Sequence, residues 1–244
     1  MFFVVNKPKI FSYLVVLSTV VVLFFTAEVL SESKNIEVLT TSAELTEKNS
    51  IIIDRIDTEK KEVVITINCS KNNKNIEKIL EILDENNVKA SFCINSDWVK
   101  KYPELTQKIS KSGNTIIGLF DNYKEINNSD YEITSKWMLS ELNIINTLLN
   151  KNIKLIRCYF DLNNENIKKV VTENNLKIIE YSIDSLDYEG LEINVIWDNI
   201  NNKIKNGDII LVDSNSEHIL EEIDYIIKNL KQKGYDIVNL EEKL

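Results

Sequence analysis

The chain has 244 residues, 43% hydrophobic and 27% charged, enough apolar side chain for one large barrel or two small domains. Its formal charge is -9, and because Lys7, Lys9 and Glu28 give the first thirty residues a net +1, the remainder carries -10, which argues against nucleic acid or an anionic membrane surface as partner. Three scattered cysteines, Cys69, Cys93 and Cys158, make neither a disulfide framework nor a zinc knuckle, and the single histidine, His218, leaves little for any imidazole chemistry.

Residues 10–27 form an uncharged, mainly apolar run of eighteen preceded by Lys7 and Lys9. Length and flank fit one membrane-spanning helix with its amino end in the cytoplasm. A cleaved signal peptide is the competing reading of residues 1–30. The anchor is favoured because the run exceeds a usual signal core and no clear small-x-small site follows. On either reading residues 31–244 lie outside the membrane, and 31–50, polar and aperiodic, read as a linker.

The domain spans 51–244. Residues 51–53 predict a short strand. Val63, Val64, Ile65 and Ile67 then form a β-branched run that stops at Asn68, Cys69 and Ser70, as a buried parallel strand does on delivering polar groups to its carboxyl end. A helix follows over 75–86, with Ile76, Ile79, Leu80 and Leu83 at helical spacing. A strand over 88–94 ends at Asn95. The next helix has Pro103 in its first turn and Gly113 just past its end. Strand 115–119 leads through a polar loop to a helix over 131–149, strand 154–158, and a helix carrying Ile167, Val170 and Val171. The pattern then predicts one strand over 176–183, a helix near 195–205, strand 209–212 after Asn206 and Gly207, a helix over 219–233, and a last strand over 237–240. Seven strands alternating with helices imply an α/β chain in a closed or nearly closed parallel barrel rather than an open sheet, with function at the carboxyl ends of the strands. Those ends carry Asn68, Cys69, Asn95, Phe120, Asp121, Arg157, Asp184, Asp187, Asp213 and Ser214.

Over about residues 50–244 the chain resembles the NodB-homology polysaccharide deacetylases, carbohydrate esterases that remove N-acetyl groups from chitin-like or peptidoglycan sugars. The resemblance rests on VKASFCINSDWVKKYPELTQKISKSGNTIIG at 88–118, NENIKKVVTENNLKIIEYSIDSLDY at 164–188, GDIILVDSN at 207–215 and LKQKGYDIV at 230–238. It is closest to the membrane-anchored, sporulation-associated branch. The resemblance implies a deformed (β/α) barrel of the polysaccharide deacetylase type, after one transmembrane helix.

The family's chemistry does not carry over. Where its first motif reads T-F-D-D-G, a base and a metal ligand, this chain has Thr66, Ile67, Asn68, Cys69 and Ser70. An amide such as Asn68 cannot take a proton from water. Leu119 and Tyr123 stand where the second motif supplies two imidazoles, so the family's metal positions hold Cys69, Leu119 and Tyr123 and no metal or other cofactor is expected. Arg157 of the third motif is kept, and Asp213 stands at the histidine acid of the fifth. His218, alone at a helix start, reads as solvated or capping. The vestigial positions are thus Asn68, Cys69, Arg157, Asp184 and Asp213.

Arg157, Asp184, Asp187, Tyr123 and Tyr159 are the candidates for binding. Each has a plainer reading. Arg157 pairs with Asp184 or Asp187; the two aspartates of the DSLDY segment are structural, since adjacent loop positions rarely hold the separation a glycosidase needs; and the tyrosines fill space that a metal has vacated. Cys69 and Cys158, read as facing one pocket, could form a disulfide outside the cell or be two buried thiols. The expected function is a catalytically degenerate deacetylase-like domain, binding wall glycan such as peptidoglycan, or an envelope protein, at the cell surface or forespore envelope. The alternative is an active N-deacetylase of peptidoglycan or a related N-acetylated polysaccharide.

Overall fold

All eight residues of Glu62–Cys69 are buried, as a strand covered on both faces must be. In this computed structural model residues 51–72, 74–121, 129–159 and 164–244 are described, and residues 51–244 fold as one unit. The expected anchor or leader at 1–30 and the linker at 31–50 lie outside the described residues. Among the described residues no helix is long and apolar enough to cross a membrane.

In chain order the elements are β1 (Ile52–Ile53), β2 (Glu62–Cys69), α1 (Ile76–Glu85), β3 (Ser91–Ile94), α2 (Ser96–Lys101), α3 (Pro103–Lys111), β4 (Thr115–Phe120), α4 (Tyr131–Leu149), β5 (Leu155–Cys158), α5 (Glu165–Glu173), β6 (Lys177–Ile179), β7 (Ile183–Asp184), α6 (Ile193–Asn201), β8 (Ile209–Asp213), α7 (Ile219–Gln232) and β9 (Asp236–Ile237). The sheet runs β1-β6-β5-β4-β3-β2-β8-β7, with β9 added to the start of β2, and its ladders are parallel. Its ends meet without a ladder: Ile56 N donates to Gly207 O at 2.8 Å, and Arg55 pairs with buried Asp208 at 2.5 Å. The wall is a distorted barrel with a seam.

The single strand expected over 176–183 is broken at that seam. Glu180 N donates to Ile53 O at 2.8 Å while Ser182 N donates to Ile209 O at 3.0 Å. In three residues the chain leaves β1, at one end of the sheet, and pairs with β8 as β7, the strand at the other end. It carries the wall across the opening. The expected strand 237–240 is also shorter, because after Ile237 the chain turns so that Leu240 plugs the barrel interior. Pro103 starts its own helix, and a separate short helix precedes it, capped where Asn95 Oδ1 accepts from Trp98 N at 2.8 Å.

Strand alternation sorts the core. Val64 lies inside the barrel with Cys93, Ile117, Leu119, Leu155, Ile179 and Ile209. Val63, Ile65, Ile67 and Cys69 face the helices, against side chains such as Ile79 and Ile226. Each fully buried aliphatic side chain contributes about 1.5–3 kcal/mol. Gly207 is required at the seam: its φ is +82°, and an added Cβ would stand 2.2 Å from Ile56 O.

Candidate functional site

Alternation from Val64 turns Thr66 and Asn68 into the barrel mouth, and they meet Arg157 of β5 there. Arg157 has no solvent exposure. Its Nε donates to Ile179 O at 2.9 Å, Nη1 to Thr66 Oγ1 at 3.0 Å and Asn68 Oδ1 at 3.1 Å, and Nη2 to Glu180 O at 3.1 Å. The guanidinium carbon lies 5.7 Å from the Tyr181 ring centroid. Every acceptor is neutral. The expected pairing with Asp184 or Asp187 is therefore corrected, and the reason is local: both carboxylates are already engaged beyond the seam.

Asp184 Oδ1 accepts from Leu186 N at 3.0 Å and Oδ2 from Tyr188 Oη at 2.8 Å. Asp187, fully buried, accepts from Ser185 Oγ at 2.7 Å and from Asp213 N at 2.9 Å. These bonds hold Leu186 at φ +62°, a left-handed conformation unfavourable to a branched side chain. Asp213, opposite Asn68 in register, accepts from Asn215 N at 2.8 Å and Nδ2 at 2.9 Å.

Asn68 uses both ends of its amide. While Oδ1 accepts from Arg157, Nδ2 donates to the Tyr159 hydroxyl. Tyr159 itself is 45% exposed, with its backbone tied to Phe120 O at 3.0 Å. Burial around its phenol, foremost, raises the pKa well above that of free tyrosine. Tyr159 thus covers the amide from the solvent side. Tyr123 lies outside the described residues.

The two cysteines do not share a pocket. Cys69 packs among the helix-facing residues of β2, and Cys158 among those of β5 with Phe120 and Met138. Both are buried and free, and β3 and β4 separate their strands. Burial pushes both thiols upward in pKa, which makes them poor nucleophiles and poor ligands. The shared-pocket reading is corrected by parity, since each lies one residue off the inward-facing positions, and of the two alternatives the structure shows the buried thiols. His218 is exposed at the start of α7 and its side chain makes no capping bond.

The resemblance implied a divalent ion at this mouth, but the described residues do not fit one. Asn68 offers an amide already bonded at both ends, Leu119 is an apolar side chain 3% exposed inside the barrel, and Cys69 faces away. Among the described residues no group of three or more His, Cys, Asp or Glu could hold a metal. Sequence reasoning missed Thr66, Glu180 and Tyr181, the remaining neighbours of Arg157. Glu180 is half-buried, with one carboxylate oxygen lacking a partner; burial raises its pKa and Arg157 opposes the rise.

Comparison with known proteins agrees with this architecture. A peptidoglycan-N-acetylglucosamine deacetylase of Bacillus cereus is 29% identical over 188 residues, covering 74% of this chain and 67% of the relative. Among solved structures, a CE4 family pseudoenzyme from Bacillus anthracis superimposes with a TM-score of 0.71 at 23% identity, over 79% of this chain and 68% of that one. A mutant CE4 family pseudoenzyme with restored enzymatic activity superimposes with a TM-score of 0.72 at 23% identity, over 79% of this chain and 70% of that one. Residues 55–179 match the family described as polysaccharide deacetylase, and the chain belongs to that family.

Proposed function

We propose that this chain is a catalytically silent polysaccharide-deacetylase-like domain that binds wall glycan at its barrel mouth, held at the cell membrane or forespore envelope by residues 10–27. The observation that carries the reading is the Arg157, Asn68 and Tyr159 arrangement. The position that would activate water is an amide whose oxygen and nitrogen are both spent, under a tyrosine. A hydrolysis that needs a base and an electrophile then lacks both. Glycan binding needs neither, and half-exposed Tyr159 and Tyr188 offer ring faces at the mouth of the kind that carry large contact area at low entropic cost. The name of the Bacillus cereus relative supports peptidoglycan as the glycan.

The test is co-sedimentation of the purified full chain, in detergent, with purified peptidoglycan, together with its metal content after equilibration with zinc and desalting. Sedimentation with the wall and no retained ion are expected. Failure to sediment would sink the glycan reading and leave a protein partner in the envelope. Near one retained ion per chain with acetate release from peptidoglycan would establish the other reading, an active N-deacetylase, which the same relative favours.

A further inference from the structure

Of the five glycines in the chain, one follows an asparagine, Asn206–Gly207, and it stands at the seam where the sheet ends meet. Those two residues in that order carry a reaction of their own. The main-chain nitrogen after an asparagine can attack its carboxamide carbon, and glycine, with no side chain, hinders that approach least. The proton of Gly207 N passes to solvent base, the N–Cγ bond to Asn206 forms, and the Cγ–Nδ2 bond breaks to release ammonia. Water then opens the cyclic imide at Cγ, giving aspartate, or at the main-chain carbonyl of residue 206, giving isoaspartate. Water enters, ammonia leaves, and nothing is oxidised or reduced.

In the fold both reacting groups are engaged. Gly207 N donates to Glu62 O at 2.8 Å, and Asn206 Nδ2 donates to Glu59 O at 2.7 Å. Nucleophile and leaving group are thus each held by a carbonyl of one short segment, 59–62, which leads into β2. Gly207 is pinned further by Ile56 N, which donates to Gly207 O at 2.8 Å. The segment is itself tied to the end of the chain: Glu62 Oε1 accepts from Lys243 Nζ at 2.8 Å, and Lys61 O accepts from Asp236 N at 2.7 Å. Asn206 is exposed, so water reaches it. The bonds from Asn206 to Glu59 O and from Lys61 Nζ to Lys233 O are exposed as well, which places the segment among the parts of a domain that open by themselves.

We propose that Asn206–Gly207 is a spontaneous deamidation site gated by the seam. It stays an amide while segment 59–62 is docked and converts to aspartate or isoaspartate when that segment lets go. The conversion is one-way. The product carboxylate has no proton to give Glu59 O, so oxygen meets oxygen where a hydrogen bond stood. Isoaspartate also lengthens the main chain by a methylene just before Gly207, which already packs so closely that an added Cβ would stand 2.2 Å from Ile56 O. The seam then cannot close as before. The site stands whether or not the mouth binds glycan.

The test follows the peptide holding residues 206 and 207 by mass spectrometry, as NH2 is replaced by OH. The full chain in detergent is incubated at one mildly alkaline pH and one temperature, folded and in denaturing urea, and urea denaturation gives the fraction of time the whole domain is unfolded. We expect the folded chain to convert at least about tenfold more slowly than the unfolded one, yet faster than that fraction allows, because the segment opens locally. Lys243→Met, which removes the ion pair to Glu62, should speed conversion of the folded chain about threefold and leave the unfolded rate unchanged. The converted chain, separated by its extra negative charge, should show a lower urea midpoint. Equal folded and unfolded rates would overturn the gate. A folded rate no higher than global unfolding permits, including no conversion, would overturn the seam as the part that opens. An unchanged folded rate in Lys243→Met would overturn the role of the segment, and a wild-type midpoint in the converted chain would overturn the one-way step. If Lys243→Met does not fold, the folded and unfolded rates of the unmodified chain decide.

Discussion

Replacing Asn68 with aspartate isolates what the arginine beneath it lacks. The new carboxylate would stand 3.1 Å from Arg157 Nη1, where Asn68 Oδ1 now lies. At an effective dielectric of about 20 that separation is worth about 5 kcal/mol of attraction. Against it stands the desolvation of one carboxylate, several kcal/mol, but only of one, because the guanidinium is already buried in the native chain. The Tyr159 hydroxyl, now an acceptor from Asn68, can turn and donate. The net expectation is stabilisation by about 1–2 kcal/mol, or about 2–8 °C in Tm for a domain of this size. The new group's folded pKa would be depressed, so the gain is complete above about pH 4 and disappears as pH falls through the lower folded value. Thermal unfolding of wild type and Asn68→Asp across pH 3–8 measures this. A variant less stable than wild type at neutral pH, with no difference in acid slope, would refute the idea that Arg157 lacks a counter-charge. Arg157→Lys with Asn68→Asp is the control, since an ammonium cannot keep the four-way fork of bonds.

Cys69→Asp should cost on the order of 3 kcal/mol, because the side chain enters the apolar space between β2 and the helices. A loss below about 1 kcal/mol by urea denaturation would show that the strand end turns this residue into the mouth. Gly207→Ala should cost a similar amount, on the order of 3 kcal/mol, from a positive φ and a Cβ meeting backbone oxygen; wild-type urea midpoint in that variant would refute the tight seam. Tyr159→Phe should cost about 1 kcal/mol, the loss of one partly exposed hydrogen bond, and a cost above about 3 kcal/mol would mean that the phenol braces more of the mouth than Asn68 alone.

The strand ends were legible because a β-branched run followed by polar residues has one meaning in a buried parallel sheet. Most helix bounds were legible too, although Asn87, Asn150 and Asn175, at φ +51°, +49° and +52°, end three helices in the role more often given to glycine. The seam was not legible. Nothing in Glu180, Tyr181 and Ser182 marks a break, since the chain changes partner there without a turn residue. At the site, the position of Arg157 could be read but not its partners, which lie across the barrel from Thr66 and Asn68 to Ile179 and Glu180. The cysteine error was avoidable: counting in twos from Val64 places Asn68 inward and Cys69 outward. The burial of Glu222, 1% exposed, gave no signal, because a glutamate pair at the start of an amphipathic helix ordinarily faces water.

The barrel also gives Arg157 a structural role beside an amide. Arg157 joins β5 to β6 and, across the interior, to β2, strands that β3 and β4 separate in the sheet. In a wall that closes without a ladder, such a brace limits how far the sheet can open. Removing it would leave two buried carbonyls, a hydroxyl and an amide oxygen without a donor, at about 1–3 kcal/mol each. A single acid-to-amide change at position 68 keeps an oxygen where the brace needs one. An amide at position 68 is therefore compatible with the brace while removal of the arginine is not, so the arginine by itself reports on the integrity of the barrel and carries no information about hydrolysis.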